Sequence, residues 1–171
     1  MPRRTAPSSA KSHDAHDTND VIAAHVLRQF RQIFNTVKSH FQRVEASVGL
    51  GGAQVWALSV IAESPDIGVS RLARAMTIHQ STASNLVKTL VERGLVSVTR
   101  DADDRRAVML RLLPAGARLL ERSPGPFAGV LPGALAALDP KTLARMEADL
   151  KLLLRELHAD SRSAGIPLSG L

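Results

Sequence analysis

The sequence contains no cysteine and no tyrosine, and it has one tryptophan and four phenylalanines among 171 residues. Without a thiol, the chain has no means to build a disulfide scaffold, a thiolate zinc site, an iron–sulfur cluster or a cysteine-based peroxide sensor. The aromatic content of 3% also disfavours an RNA-binding sheet, which stacks bases on aromatic side chains. Cysteine-based redox functions and thiolate metal sites are therefore excluded, and the lack of cysteine fits a reducing compartment.

Long apolar runs are missing as well. No run approaches the roughly 20 apolar residues that a membrane-spanning helix needs. The first 20 residues are polar and lack the apolar core of a signal peptide. We therefore expect a cytoplasmic protein with no membrane partner.

The chain has an excess of basic over acidic residues. It carries 22 Lys and Arg against 16 Asp and Glu, a net charge of +6, and its isoelectric point is near 10.7. Such a balance favours polyanionic partners, nucleic acid before an acidic membrane. With 44% hydrophobic residues, a chain of this length can bury a core of its own. Double-stranded DNA is the leading candidate partner.

The apolar pattern predicts a mainly α fold with a small β-hairpin. Residues 1–19 have no apolar period and are predicted to form a disordered tail. A long helix is expected from Asp20 until the glycines at 49, 51 and 52 end it. Its apolar stripe steps by four and three and comprises Ala23, Leu27, Phe30, Phe34, Val37, Phe41, Val44 and Val48. Regions 20–52 and 114–158 are predicted to form a helical dimerisation domain, followed by a flexible tail over 159–171.

The last long helix, from Pro140 to about His158, carries a second seam that suits a partner helix. The seam comprises Leu143, Met146, Leu150, Leu153 and Leu157. Between Pro114 and this helix, we expect one helix to about Glu121, an interruption at Ser123–Pro126, and another helix from Phe127 to Leu138. Two exposed seams would leave a large apolar surface on a lone chain, so we expect a homodimer.

Residues 53–113 are predicted to form a winged helix-turn-helix. A helix from Ala53 to Ser64 is followed by a short helix, Val69–Met76, with Ser70 as its N-cap. After a tight turn at 77–79, a further helix runs from Gln80 to Arg93, with Gly94 as the residue that ends it. Alternating strands at 95–100 and 107–113 then flank a charged loop, which is the pattern of a hairpin.

The helix that starts at Gln80 has one apolar face and one polar face. Ala83, Leu86, Val87 and Leu90 follow helical spacing and must be buried. The opposite face presents small hydroxyl and amide groups and one lysine, which can hydrogen-bond base edges in a major groove. The predicted DNA-binding residues on this face are Gln80, Ser81, Ser84, Asn85 and Lys88, and Ser70 joins them from the preceding helix. A merely solvated face typically carries more Glu and Lys, and a protein-binding module would show an apolar or acidic face instead.

The segment HQSTASNLVKTLVERGLVSVTRDADDRRAVMLRLLPAG, which starts at His79, resembles the winged-helix core of MarR-family transcription regulators. The resemblance extends from about Val21 to Leu157. Its most specific part is the order of the recognition helix, Gly94-Leu95, the triplet Asp104-Arg105-Arg106, and Gly116 at the next helix. Two positions depart from the family pattern: Leu113-Pro114 stands where Thr usually caps the helix, and Pro124 and Pro126 interrupt a helix often drawn as continuous.

This resemblance implies a two-fold dimer whose first and last helices pair and whose two winged lobes read a palindromic site. It also implies that Arg106 enters the DNA minor groove, with Arg105 and Asp104 in support. An arginine is long and always charged, so it suits a narrow, strongly negative groove. The simpler alternative for this charged tip is a cluster of surface ion pairs, which contribute little.

The remaining residues give no sign of an enzyme. None of the six histidines lies in a recognisable nucleophile or metal motif, and no phosphate loop is present. We therefore expect no catalytic residue, no metal and no cofactor. The resemblance implies a repressor released by a small ligand such as an aromatic carboxylate, for which Arg28, His40 and Trp56 are the candidate residues. The alternatives are that Trp56 and His40 serve the core, and that the winged helix binds DNA without a ligand or binds a protein.

Overall fold

The computed structural model describes residues 10–100 and 108–170. Its helices and strands are, in chain order, α1 (Ala10–Val48), α2 (Gly52–Glu63), α3 (Val69–Ala75), α4 (Gln80–Glu92), β1 (Val96–Arg100), β2 (Val108–Leu112), α5 (Pro114–Arg122), α6 (Val130–Ala136) and α7 (Pro140–Glu156). Two short 3-10 helices follow, Ser161–Gly165 and Leu168–Gly170. The fold is mainly α with one small hairpin, as the sequence predicts. The chain divides into two compact units, one up to Thr36 and one from Val37 onward.

Helix α1 begins at Ala10, ten residues before the predicted start at Asp20. The prediction that residues 10–19 belong to a disordered tail is therefore wrong, and residues 1–9 lie outside the described part. Extending an existing helix adds a hydrogen bond with each residue without a second nucleation cost, so a polar flank can continue a strong helix. The helix ends at Val48, directly before Gly49, the first of the three glycines predicted to end it. Gly49 has a φ of 65°.

The core of the second unit is built around α2. This helix is apolar on most of its surface, and its Val55, Leu58 and Ile61 are fully buried. Helices α3, α4 and α5 and strand β2 all pack against it. A helix that is apolar nearly all round is stable only when other elements cover it. The α1 residue Val44 joins the same cluster.

Helices α3 and α4 and the turn between them confirm the predicted helix-turn-helix. Thr77 takes a left-handed φ of 55°, and the Ile78 N–H donates to the Ala73 carbonyl at 3.0 Å. The prediction that Ser70 caps α3 is wrong, because the N-cap is Gly68 and Ser70 lies inside the first turn. Val69 supplies the additional helical residue ahead of it.

The wing is an antiparallel pair in which Val96 faces Leu112 and Val98 faces Leu110. Val96 and Leu110 are buried as the predicted alternation requires, whereas Val98, two residues after Val96, is 44% exposed. A further bridge joins Leu110 to Ile67 in the loop between α2 and α3. The base of the wing is thereby fixed to the helical core.

The elements after the wing follow the predicted order with altered lengths. Pro114 opens α5, and its N-cap Leu113 makes no side-chain cap hydrogen bond, as predicted. Helix α6 spans only Val130–Ala136 instead of the predicted 127–138, since Gly129 ahead of it has a φ of 91°. Helix α7 starts at Pro140 as predicted, behind an Asp139 side chain that accepts from the Thr142 N–H at 3.0 Å.

The prediction of a loose C-terminal tail is also wrong for the residues that are described. We call residues 159–170 the C-terminal segment. Its two 3-10 helices are tied internally, with the Ser163 N–H donating to the Asp160 carbonyl at 3.0 Å and the Ile166 N–H donating to the Ser163 carbonyl at 3.1 Å. Its contacts with the rest of the unit join residues more than 80 positions apart, which local patterning does not reveal.

Within the described ranges, no single helix has both the length and the apolar content needed to cross a membrane. The bent pair Thr18–Val48 and Gly52–Glu63 meets that test only when taken together, by length and composition alone. The second member of that pair is the central core helix α2.

Gly116 on α5 marks the closest approach of this helix to the wing. A Cβ placed there would lie 2.5 Å from the Leu95 carbonyl oxygen and 2.7 Å from a methyl of Leu112. We predict that Gly116→Ala lowers the free energy of unfolding by about 1–3 kcal/mol, as overpacking typically does. The measurement is urea denaturation of the wild type and the variant.

Gly133→Ala is the matched control, because an added Cβ at that α6 position meets nothing within 4 Å. It should leave stability unchanged or raise it by up to about 1 kcal/mol through helix propensity. Equal effects of the two substitutions would show that α5 does not press on the wing at Gly116.

Candidate nucleic-acid interface

Helix α4 lies with one face in the core and the other in solvent, as the sequence predicts. Ala83 and Leu90 are fully buried, Val87 is 7% exposed, and Leu86 packs partly buried against the same cluster. All five residues predicted to read DNA lie on the exposed side: Gln80, Ser81, Ser84, Asn85 and Lys88. The structure therefore brings these five together on one surface.

The polar groups of this surface can still form hydrogen bonds or ion pairs with a partner. The Ser84 hydroxyl donates to the Gln80 carbonyl at 2.9 Å, and the oxygen retains its acceptor lone pairs. Lys88 lies 3.9 Å from Glu92, and both side chains are well exposed. An exposed helical pair of this kind contributes only about 0.3–0.5 kcal/mol. The lysine is therefore available to a DNA phosphate or base at little cost.

Two contacts that the sequence did not suggest hold the ends of α4. At its C-terminal end, Arg93 Nη1 donates to the Gly49 carbonyl at 2.7 Å. At its N-terminal end, the N-cap residue His79 has an extended backbone and makes no side-chain cap hydrogen bond to the helix. Instead, the His79 imidazole Nε2 donates to the Arg162 carbonyl at 2.8 Å. Helix α4 is thus held at both ends by groups from distant parts of the sequence.

An ion pair also fixes the base of the wing. The Arg111 guanidinium contacts both carboxylate oxygens of Asp66, with its second nitrogen at 2.9 Å. These hydrogen bonds favour the ionised carboxylate, so Arg111 holds the pKa of Asp66 below its ordinary value. The paired arrangement links β2 to the loop before the helix-turn-helix. A lone aspartate after Pro65 gave no sequence signal for this role.

The predicted wing-tip residues Asp104, Arg105 and Arg106 lie outside the described residues. Their roles stay predictions. Ser70, the remaining predicted DNA-binding residue, is exposed in the first turn of α3.

The structure separates the three candidate ligand residues. Trp56 lines a cavity of about 190 Å³, together with Val37, Phe41, Ala128, Gly129, Val130, Leu131, Pro132, Leu135 and Leu168. His40 is buried, and its Nε2 donates to the Pro126 carbonyl at 3.0 Å while its ring packs edge-on against Phe41. Arg28 is exposed and belongs to the first unit. Of the three, Trp56 is the one that lines this cavity, and none of the described lining residues carries a charge.

A model of the MarR family matches residues 48–107 of the chain. That range begins at the last residue of α1, includes the helix-turn-helix and β1, and ends before β2. The match assigns the winged-helix region, residues 48–107, to this family and does not extend over the rest of the chain. The proteins of this family are transcription regulators and not enzymes.

The chain is also similar to individual transcription regulators over longer stretches. The HTH-type transcriptional repressor NicR of Pseudomonas putida is 29% identical over 122 residues, which cover 71% of this chain and 75% of that protein. The organic hydroperoxide resistance transcriptional regulator of Bacillus subtilis is 25% identical over 108 residues, covering 61% and 70%. A solved structure of Bordetella bronchiseptica BpsR, described for regulation of DNA binding by 6-hydroxynicotinic acid, is 26% identical with a TM-score of 0.49, covering 80% and 94%.

Proposed function

We propose that the chain acts as a dimeric repressor that reads a palindromic operator with α4 and leaves it when a small aromatic ligand binds. The observation that carries the proposal is the exposed face of α4. It combines hydroxyl, amide and ammonium groups on a rigid helix whose other face is buried. Helix-turn-helix proteins read bases with the N-terminal part of this second helix.

The amide of Asn85 is the strongest candidate for base readout. Asparagine can bond an adenine edge with donor and acceptor together, whereas a lysine bonds phosphate or guanine. Glu92, at the far end of the helix, is the single acidic residue of α4. A nearly acid-free polar face favours DNA over a basic protein partner. Among the large apolar side chains of α4, Val91 alone is exposed, to 39%, and a single exposed side chain does not form the apolar patch that a hydrophobic protein partner needs.

Support for a dimer comes from apolar side chains that a lone chain leaves exposed. On α7, Met146, Leu150 and Leu153 are 37–39% exposed and Leu157 is 65% exposed. On α1, Leu27 and Phe34 are each 50% exposed. These residues belong to the two seams that the heptad-like spacing predicts. A second copy of the chain offers the same seams in return, as two-fold symmetry requires.

Support for an aromatic ligand comes from the size and chemistry of the cavity beside Trp56. An apolar cavity of roughly 150 Å³ suffices to hold benzene, and this one measures about 190 Å³. A single aromatic ring therefore fits among the aromatic and aliphatic walls. The cavity is open at one side, so a carboxylate on the ring can point to solvent.

We retain the wing arginines as part of the DNA surface. The Asp66–Arg111 ion pair holds the base of the wing, and these arginines lie between its two strands in sequence. Arg106, supported by Arg105 and Asp104, would then add affinity for narrow A·T-rich flanks without reading much sequence.

The experiment on DNA reading is Asn85→Ala. Loss of the amide should weaken binding to a fragment of the gene's own promoter by about 1–3 kcal/mol and barely change binding to random DNA. Affinities for both DNAs are measured by fluorescence anisotropy at one fixed salt concentration. Gln42→Ala, which removes an exposed amide from α1, is the control and should bind both like the wild type. Equal losses on both DNAs would show that Asn85 does not specify sequence.

The experiment on assembly is Leu150→Asp. Light scattering should give the wild type a mass twice the 18.3 kDa of the chain, and the variant a smaller mass or aggregate, because the interface would have to bury a charge. Ala148→Asp places the same charge on the opposite side of α7 and should stay dimeric. A monodisperse wild-type monomer at micromolar concentration contradicts the dimer.

The experiment on the ligand uses Trp56, the single tryptophan of the chain, as the reporter. Benzoate should change Trp56 fluorescence, raise the melting temperature and release the promoter fragment, since binding to the folded state stabilises it. Benzyl alcohol tests the ring without the carboxylate. Ala128→Phe fills the cavity and should abolish all three effects. Saturating benzoate without a fluorescence or stability change would exclude it as a ligand of this cavity.

A further inference from the structure

The C-terminal segment is attached to the start of the reading helix. The His79 imidazole donates from Nε2 to the Arg162 carbonyl at 2.8 Å, and the His79 backbone N–H donates to the Gly165 carbonyl at 3.3 Å. Both bonds join the residue immediately before α4 to a stretch more than 80 positions later. The side chain and the backbone of one residue are thus held by the same short segment.

Gly165 makes this attachment close. It is buried, and a Cβ at this position would lie 2.5 Å from Nε2 and 2.8 Å from Cγ of the His79 ring. No side chain fits there unless the ring or the segment moves. The imidazole therefore rests directly on the glycine backbone.

The segment is internally stiff. The Asp160 carboxylate accepts from the Arg162 N–H at 2.9 Å, and the Asp160 carbonyl accepts from the Ser163 hydroxyl at 2.7 Å. Pro167 restricts the backbone between the two 3-10 helices. A displacement at one end of such a segment is not absorbed by free rotation in the middle.

The other end of the same segment reaches the cavity. Leu168 is one of the walls of the cavity beside Trp56 and Phe41, and Leu168–Gly170 packs against α2. Only three positions separate Leu168 from Gly165. One short stretch therefore contacts both the cavity and the residue that starts α4.

We propose that the C-terminal segment couples the cavity to the reading helix, with Leu168, Gly165 and His79 as its positioning residues. Displacement of Leu168 loosens the hold of Gly165 and the Arg162 carbonyl on His79. The first turn of α4 then loses its fixed position, and with it Gln80 and Ser81. The inference rests on the proposed function, in which α4 reads DNA and the cavity takes the ligand. Coupling of this kind is reciprocal, so DNA bound at α4 also stabilises the Leu168 wall.

The experiment separates the two ends with single substitutions in the full-length chain. Gly165→Val disrupts the contact at His79. Leu168→Ala removes one of the side chains that line the cavity. Ile166→Ala lies between them, and its side chain is 57% exposed, so it serves as the control. The readouts are hydrogen exchange of the His79 amide, iodide quenching of Trp56 fluorescence, and affinity for the promoter fragment.

The decisive results are the effects at the end that was not substituted. Leu168→Ala should speed exchange of the His79 amide and weaken promoter binding by at least about fivefold, the lower range of measured coupling. Gly165→Val should increase quenching of Trp56 and weaken promoter binding as well. Ile166→Ala should match the wild type in all three readouts.

Three outcomes overturn the coupling. One is a Leu168→Ala variant with unchanged His79 exchange. Another is a Gly165→Val variant that exposes His79 while Trp56 quenching and promoter binding stay constant. The third is tighter promoter binding by either variant, because the segment would then restrain α4 from DNA.

Failure of the proposed function is distinguishable from failure of the coupling. A wild type that binds the promoter fragment no better than random DNA contradicts DNA reading, while the exchange and quenching readouts still test the mechanical link. Should Gly165→Val not fold, Leu168→Ala supplies the same test from the opposite end.

Discussion

The second unit of this protein depends on the burial of α2. Val55, Leu58 and Ile61 have no exposed surface, and such side chains contribute about 1.5–3 kcal/mol each when fully buried. Helix α2 is covered by the helix-turn-helix on one side and by β2 and α5 on others. Its Trp56 lines the cavity while its neighbours form the core. The same helix therefore supports α4 through its buried residues and lines the cavity with Trp56.

Burial alone orients α4 but does not fix its ends. Ala83, Val87 and Leu90 turn the helix about its axis until the polar residues face solvent. Position along the axis is set by Arg93 on the Gly49 carbonyl and by His79 on the C-terminal segment. These end contacts are few and partly exposed, so they are weaker than the core. A change in the position of α4 therefore requires the least free energy when it breaks the contacts at the helix ends and leaves the core intact.

The sequence predicted those parts of the fold that local patterns determine. Helical spacing identified both faces of α4, and strand alternation identified the inward side of the wing. The predicted cap of α3 was wrong because Ser70 has high cap propensity, whereas the helix starts one residue earlier, at Val69, with Gly68 as its N-cap. The role of His79 stayed hidden, since its partner carbonyl at Arg162 lies 83 positions away. Contacts of that separation depend on tertiary packing and leave no periodic signal.

For the candidate ligand residues too, the sequence suggested the residue types but not their tertiary contacts. Trp56 was offered as the apolar wall of an aromatic-acid site or, alternatively, as a core residue. The structure places it partly buried against the core and in the lining of the cavity. His40 looked equally suitable, but its Nε2 is committed to the Pro126 carbonyl in a buried setting. A buried imidazole that gives up such a bond leaves an unsatisfied group, which costs about 1–3 kcal/mol. A ligand that used His40 would have to offset that loss, whereas one that packs on Trp56 displaces nothing. In the proposed function, recognition of a ligand in this cavity would therefore depend mainly on shape and apolar contact.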